Sequence, residues 1–264
     1  MNAMIRTMIQ STLLAPLYRT YQRRLLSQVL SRTPPVHVGF ILDGNRRYAT
    51  SRGYLASMGH VFGANKVEEL LSWCFEARIK VITLYAFSTE NAKRDRDEVD
   101  NIMSLAKDRF AKLVSDERIH KNRVRVNVIG HLELLPPELQ DVLRDAMDKT
   151  RDYSSFYLNV CMAYSSQTEV VDAMKAMGHK IQDGTLTPEE ITFETIKNHL
   201  LTRELPDPDL IIRTGGEARL SNFLLLQSAY AELFFIDVFL PEFRKIDFLR
   251  IIRDYQRRDR RYGS

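Results

Sequence analysis

Val36-His37-Val38-Gly39-Phe40-Ile41-Leu42-Asp43-Gly44-Asn45-Arg46-Arg47-Tyr48-Ala49 is the stretch that decides how this chain is read. Its first half is a run of mostly branched apolar residues, the pattern of a strand buried on both faces. The run stops at Asp-Gly-Asn, a turn sequence, and two arginines follow at once. An acid, a glycine and two cations are ill-suited to packing, and the carboxyl edge of an open α/β sheet is where ligands bind. Asp43 has the chemistry to hold a divalent cation, while backbone N–H groups, Arg46 and Arg47 have that to hold phosphate oxygens. Taken alone, the same residues also describe a solvated strand-to-helix turn.

The chain has 264 residues, 44% of them hydrophobic and 27% charged, enough to bury a full core in one ordinary α/β domain. Its formal net charge of +4 is unevenly spread. Residues 1–33 carry five arginines and no acid, and residues 244–264 carry eight basic and three acidic residues, so the body between is mildly acidic. Basic ends of this kind do not by themselves argue for nucleic acid. Cys74 and Cys161 lie far apart inside apolar stretches, with no zinc or disulfide spacing, and are expected to be reduced core residues. No apolar run reaches the roughly 18–20 residues of a membrane span.

Residues 1–33 read as one or two amphipathic helices interrupted near Pro16. Leu17, Tyr18, Tyr21, Leu25, Leu26, Val29 and Leu30 form a stripe, with Arg19, Arg23 and Arg24 mostly off it. Such a stripe suits docking on the protein's own core, contact with an anionic membrane, or a targeting peptide. Its closeness to the first strand favours the first two. Residues 34–264 read as a single α/β domain, a mostly parallel sheet of about six strands flanked by helices. Strands are expected near 36–42, 81–87, 124–129, 156–164, 210–212 and 232–238. Among the helices expected are 99–114, 136–150, 168–182, 188–201, a short one at 223–230, and a basic one at 243–260.

Three of these strands end in polar clusters: Asp43 to Arg47, Ser88-Thr89-Glu90-Asn91, and Arg213 followed by Glu217 to Asn222. On a parallel sheet these ends share one edge and can face one cleft. Arginines, hydroxyls, amides and an acid suit diphosphate groups with a divalent metal between them. Any one cluster could instead cap the helix that follows it, but three on one edge make that the less favoured reading. No GxGxxG follows the first strand and no GxxxxGK[ST] occurs, which argues against a Rossmann cofactor or a P-loop nucleotide. His60 reads as a phosphate contact or as a satisfied loop histidine. Glu232, flanked by apolar residues, needs a partner or a metal.

Residues 43–49, 85–91, 209–223 and 227–233 resemble, in order, the motifs of cis-prenyltransferases, the undecaprenyl/dehydrodolichyl diphosphate synthase family. The resemblance runs from about residue 36 to residue 263. It implies the cis-prenyltransferase fold with an apolar product tunnel. It also implies a homodimer that condenses isopentenyl diphosphate onto an allylic diphosphate (farnesyl or geranylgeranyl diphosphate) with Mg²⁺. The product would be a Z-polyprenyl diphosphate of the undecaprenyl or dolichyl type. By the same resemblance, Asp43 is the essential metal-binding acid and Glu232 the second metal ligand. Gly44, Asn45, Arg46, Arg47, Tyr48 and His60 correspond to the allylic diphosphate cradle. Arg213, Arg219, Leu220 and Ser221 correspond to the isopentenyl diphosphate site, and Ser88, Thr89, Glu90, Ala92 and Arg94 to further substrate contacts. Asn91, with Ser88 nearby, matches the position that helps remove the proton after condensation. Arg261-Tyr262-Gly263 resembles a terminal Arg-x-Gly whose Arg261 and Gly263 reach a diphosphate in the partner's site.

The chain departs from the commoner bacterial pattern. Arg46 and Tyr48 stand where that pattern has Gly and Trp, Ala56 where many members have an arginine, and Ala92 where an aromatic is frequent. The contact that arginine makes is therefore either lost or supplied by Arg46. Phe62, Leu70, Ile102, Met103, Leu105 and Phe110 are candidates for a tunnel wall and equally for plain core. The expected location is cytoplasmic and peripheral on a membrane surface, the endoplasmic reticulum in a eukaryote. A short-chain cis-prenyl diphosphate synthase and a lipid-binding, non-catalytic subunit of a heteromeric synthase are the competing readings. No nucleic-acid partner is expected.

Overall fold

The computed structural model describes residues 3–258, with side chains from residue 16 onward. Helix α1 (Ala3–Leu30) leads into β1 (His37–Ile41), α2 (Asn45–Ser51), α3 (Met58–Glu76) and β2 (Val81–Ser88). Then come α4 (Arg96–Val114), α5 (Glu117–Lys121), β3 (Val124–Ile129), α6 (Pro137–Thr150), β4 (Phe156–Tyr164) and α7 (Ser166–Gln182). The short α8 (Phe193–Lys197), β5 (Leu210–Arg213), β6 (Glu232–Phe235) and α9 (Lys245–Tyr255) complete the described chain.

All six strands form one sheet in the order β3-β4-β2-β1-β5-β6, and every pairing is parallel. The sheet is thus wholly parallel, where the sequence supported only a mostly parallel one. β1 is buried along its whole length because β2 and β5 flank it and both of its faces are covered. Val38 and Phe40 join the large core under α1, α3, α4, α6 and α9, while Ile41 belongs to a smaller cluster with Tyr85, Tyr164 and Phe223 on the other face. From β1 the chain turns first to β2 on one side and later to β5 and β6 on the other. The carboxyl ends of β1 and β5 therefore flank a topological switch point, where open α/β sheets form ligand crevices.

Several local expectations are corrected. Pro16 does not interrupt α1, which runs through it; the missing N–H removes one ladder bond on an exposed face. The helix expected at 188–201 is a 3₁₀ turn at Pro188–Glu190 followed by the five-residue α8, each opened by its own threonine capping box. Residues 223–230 form consecutive turns rather than a helix. Leu224 (φ 45°), like Ser221 (48°) and Asn222 (66°) just before it, has left-handed backbone that no helix continues. Complete burial of Phe223 and Leu224 against the sheet holds that path. The last strand stops at Phe235 rather than near 238.

The carboxyl-terminal half of α1 lies on α9. Leu25 and Val29 are buried in the main core, and Gln256 Nε2 donates to the carbonyl of Val29 at 2.9 Å. Docking on the protein's own core therefore holds for this part of the N-terminal stripe, while Leu17, Tyr18, Arg19, Arg23 and Arg24 stay exposed.

A polar relay crosses the buried sheet. His37 Nδ1–H donates to the carbonyl of Pro206 at 2.7 Å, which leaves Nε2 to accept from Thr83 Oγ1 at 2.7 Å. Thr83 in turn accepts from Asn159 Nδ2 (3.2 Å), whose Oδ1 accepts from Asn127 Nδ2 (3.0 Å). Burial holds His37 neutral and pushes its pKa down to about 4, against the opposing pull of the Pro206 carbonyl and of Asp209. The unfolded chain takes up this proton near pH 6.5, so His37 costs no stability above that value. The cost grows as pH falls toward 4, reaching about 3 kcal/mol. Urea unfolding between pH 7 and pH 4 is expected to show this decline. In His37→Gln, which cannot protonate, the decline should be shallower; an unchanged slope would remove His37 from the account.

Candidate active site

Beyond β1 the chain must turn sharply, and Gly44 makes the turn with φ of 96°. A Cβ there would fall 2.7 Å from the Phe239 ring, so both conformation and space require glycine. The turn points Asp43 into the crevice between β1 and β5. Its Oδ2 accepts from Arg213 Nη2 at 2.8 Å; its Oδ1 accepts from the Gly44 N–H at 2.6 Å and from Arg47 Nη2 at 3.2 Å. Thr214 pins the backbone, its Oγ1 donating to the Asp43 carbonyl at 2.7 Å. Burial works to raise the Asp43 pKa. The hydrogen bonds from Arg213 and Gly44 and the charges of Arg213 and Arg47 outweigh it, holding the carboxyl below its ordinary range.

Arg213, with only 5% of its side chain exposed, also donates to Ser221 Oγ at 2.8 Å and to the Arg219 carbonyl. Its Nε is buried without a protein partner, as is Asn45 Oδ1 at the start of α2. Both residues belong to the wall of the cleft.

Two further acids gather the remaining cations. Glu98, in the first turn of α4, faces Arg46 at 3.2 Å, His60 at 3.1 Å and Arg94 at 3.0 Å. Glu217 pairs with Arg219 at 2.6 Å and Arg47 at 3.5 Å. Burial lowers the His60 pKa, and Arg94 and Arg46 add to this against the pull of Glu98. Neither acid was assigned a role from sequence, although Glu98 stands four residues after Arg94, the spacing of a helical ion pair.

The cations these acids hold, with Asp43 and Arg213, line a polar cavity of about 920 Å³, while Glu98 and Glu217 stand outside its wall. It brings together Asp43, Gly44, Asn45, Arg46, Arg47 and His60 from the first motif. From the second come Ser88, Glu90, Asn91 and Arg94, and from the third Arg213, Arg219 and Ser221. Ala56 lines the same cavity. Ser88 and Asn91 brace each other, the Ser88 N–H donating to Asn91 Oδ1 at 3.2 Å and the Asn91 N–H to Ser88 Oγ at 3.1 Å. Glu90 accepts from Asn222 at 3.2 Å.

Other candidate residues lie outside the cavity wall. Tyr48 packs edge-on against Phe62 at 5.7 Å and Leu220 packs on the smaller apolar cluster, while neither Thr89 nor Ala92 lines the cavity. Glu232 begins β6, in register with Leu210, at the end of the sheet opposite to Asp43. There it pairs with Arg258 at 2.9 Å, so a single chain does not bring it to Asp43. Arg261 and Gly263 lie outside the described residues.

A second, mostly apolar cavity of about 670 Å³ runs between the sheet and helices α3 and α4. Leu42, Asn45, His60, Ala86 and Ile102 line both cavities, so the polar one adjoins the apolar one. Of the tunnel candidates, Ile102, Leu105 and Phe110 line it. Leu70 and Met103 are core instead, and Phe62 stacks on Tyr48 and Tyr54, because the helical stripe facing the cavity is Gly63, Val67, Leu71 and Phe75.

Among the described residues no group of three His, Cys, Asp or Glu is placed to hold a metal. The donor set of one carboxylate beside an arginine-lined anion cavity fits Mg²⁺, which typically binds one or two carboxylates and completes its shell with substrate phosphates and water.

A family model described as undecaprenyl diphosphate synthase matches residues 41–263. The chain is 51% identical over 248 residues, 94% of each chain, to a tritrans,polycis-undecaprenyl-diphosphate synthase (geranylgeranyl-diphosphate specific) of Pyrococcus abyssi. An enzyme of the same name from Pyrococcus furiosus is 48% identical over 255 residues, 97% of each chain. Among solved structures, lavandulyl diphosphate synthase from Lavandula x intermedia, in complex with dimethylallyl diphosphate, superposes with a TM-score of 0.83 at 32% identity. That match covers 88% of this chain and 99% of the other. A family model over residues 41–263 and relatives at about half identity along nearly the whole chain agree with the fold and the site: the chain belongs to the undecaprenyl diphosphate synthase family of cis-prenyltransferases.

Proposed function

We propose that this prenyltransferase extends geranylgeranyl diphosphate with isopentenyl diphosphate to an undecaprenyl-class product with cis double bonds. One observation carries the reading: the cation-lined cavity adjoins the apolar one, sharing Asn45 and His60 in its wall, as suits an amphiphile with a diphosphate head and a hydrocarbon tail. The relatives at about half identity carry that primer in their names.

The chain's own residues divide the work. Arg46, His60 and Arg94 face the mouth beside the tunnel throat and suit the allylic diphosphate, whose tail enters between α3 and α4. Arg213 and Arg219, with Ser221, suit isopentenyl diphosphate on the β5 side. Breaking the allylic C–O bond leaves a carbocation and a diphosphate leaving group, and fixed positive charge favours that separation. Asp43 would hold Mg²⁺, which when bound neutralises charge on the departing diphosphate. The isopentenyl double bond attacks the cation, and a proton is then lost. Asn91, fixed by Ser88, positions the group that accepts it, because a neutral amide is too weakly basic to take the proton itself.

The protein is also proposed to act as a homodimer. Exposed Val171 and Met174 on α7, Leu225 and Tyr230 in the following turns, and Leu233 and Phe235 on edge strand β6 supply an apolar face. Such a face suits a second copy, whose Arg261-Tyr262-Gly263 tail would reach this site. No helix among the described residues is long and apolar enough to cross a membrane. A cytoplasmic, peripheral position is proposed, with exposed Leu17, Tyr18, Arg19, Arg23 and Arg24 on α1 meeting anionic lipid.

Asp43→Ala is expected to abolish incorporation of labelled isopentenyl diphosphate while the far-ultraviolet circular dichroism stays that of the wild type. Retained activity would refute the role of Asp43. With wild-type protein, geranylgeranyl diphosphate is expected to have a higher kcat/KM than farnesyl diphosphate, and chromatography of dephosphorylated products should centre on the undecaprenyl length. A product one or two units longer than the primer would overturn the product class. Reversing Arg19, Arg23 and Arg24 to Glu should cut binding to phosphatidylserine vesicles by about a hundredfold or more, at roughly 1 kcal/mol per charge. Unchanged binding would exclude this face.

A further inference from the structure

Glu98 does not line the cavity whose cations it gathers. It stands behind them, its side chain 14% exposed, in the first turn of α4. Oε1 accepts from His60 Nε2 at 3.1 Å and from Arg94 Nη1 at 3.0 Å, and Oε2 faces Arg46 Nη1 at 3.2 Å. The three donors arrive on different segments: Arg46 on α2, His60 on α3, and Arg94 on the link that enters α4. We propose that Glu98 is a positioning residue for the allylic diphosphate, aiming Arg46, His60 and Arg94 together at the mouth of the tunnel. The inference rests on the prenyl-transfer reading of the site.

The physical reason is repulsion and freedom. Arg46 and Arg94 have side chains 52% and 34% exposed, and without a common counter-charge they would separate into solvent. Ordering two long side chains as substrate arrives costs binding free energy; holding them beforehand removes that cost. A guanidinium has five N–H donors, so each arginine can keep Glu98 behind it and still present donors to a phosphate. His60, donating through Nε2–H to Glu98, is held in one tautomer and ring orientation beside the two arginines. Ala56 on the same wall offers only a methyl group, so Arg46 and Arg94 supply the convergent positive charge on that side. Different acids organise the opposite side: Asp43 holds Arg213, and Glu217 holds Arg219. Loss of Glu98 should therefore affect one substrate and spare the other.

Glu98→Gln keeps the volume and one acceptor while removing the charge. Its KM for geranylgeranyl diphosphate should rise about tenfold, with the KM for isopentenyl diphosphate within about twofold of wild type. Glu98→Asp should recover part of the loss. Calorimetric titration of geranylgeranyl diphosphate alone, at matched melting temperature, should show the same tenfold weakening. An allylic KM that is unchanged or lower overturns the proposal, as does a joint rise in both KM values. Wild-type protein that binds the allylic diphosphate but transfers no prenyl group would refute the functional reading, while the calorimetric comparison would still decide the role of Glu98. Wild-type protein that binds no allylic diphosphate refutes both.

Discussion

The ion pair between Asp43 and Arg213 is the contact on which the rest of the site depends. It closes at 2.8 Å between the ends of β1 and β5, with Arg213 almost wholly buried. A guanidinium taken out of water is tolerated only if its charge and donors are met, and Asp43, Ser221 and the Arg219 carbonyl meet most of them. One ion pair therefore fixes the loop after β1 against the loop after β5. The glycines at 44 and 215, both with positive φ, let the two backbones pass closely enough for it to form.

Around that pair the mouth is divided by its acids. Glu98 collects cations on the side of the tunnel throat, Glu217 collects those beside β5, and Asp43 stands between them. Two diphosphates in one cavity would repel each other strongly; two separately organised cation sets flanking one metal-competent carboxylate relieve that repulsion. The arrangement also assigns an orientation, because only the throat side leads into the apolar cavity. Arg46 and Arg94 converge there, held by the shared carboxylate of Glu98, in a cavity whose wall also carries Ala56.

The sheet supplies rigidity at the price of some acid sensitivity. The relay from the Pro206 carbonyl through His37, Thr83 and Asn159 to Asn127 ties the register of four strands by groups that must all be paired. Its one titratable member lies at the start of β1, far along that strand from Asp43. The same strand thus carries a neutral buried base at one end and a charged site at the other.

Much of this was legible in residues 36–49. Buried runs ending in Asp-Gly-Asn, in Ser-Thr-Glu-Asn and in Arg-Thr-Gly-Gly specify strands by local hydrophobic pattern and mark their ligand edge, because those signals depend on neighbours in sequence. The turns at 223–230 were not legible: apolar spacing there mimics a helix, and only burial of Phe223 and Leu224 against the sheet forces left-handed backbone. Nor were the tunnel walls, since Leu70 and Leu71 look alike in sequence while one fills the core and the other faces the cavity. The chain by itself determined which elements form, in what order, and which residues carry charge to one edge. Tertiary structure alone decided that Glu98 serves two arginines and His60, and that Glu232 lies beside Arg258 at the opposite end of the sheet. Electrostatic partnership is set by distance through space, and residues 46, 60 and 98 acquire theirs only when three helices pack together.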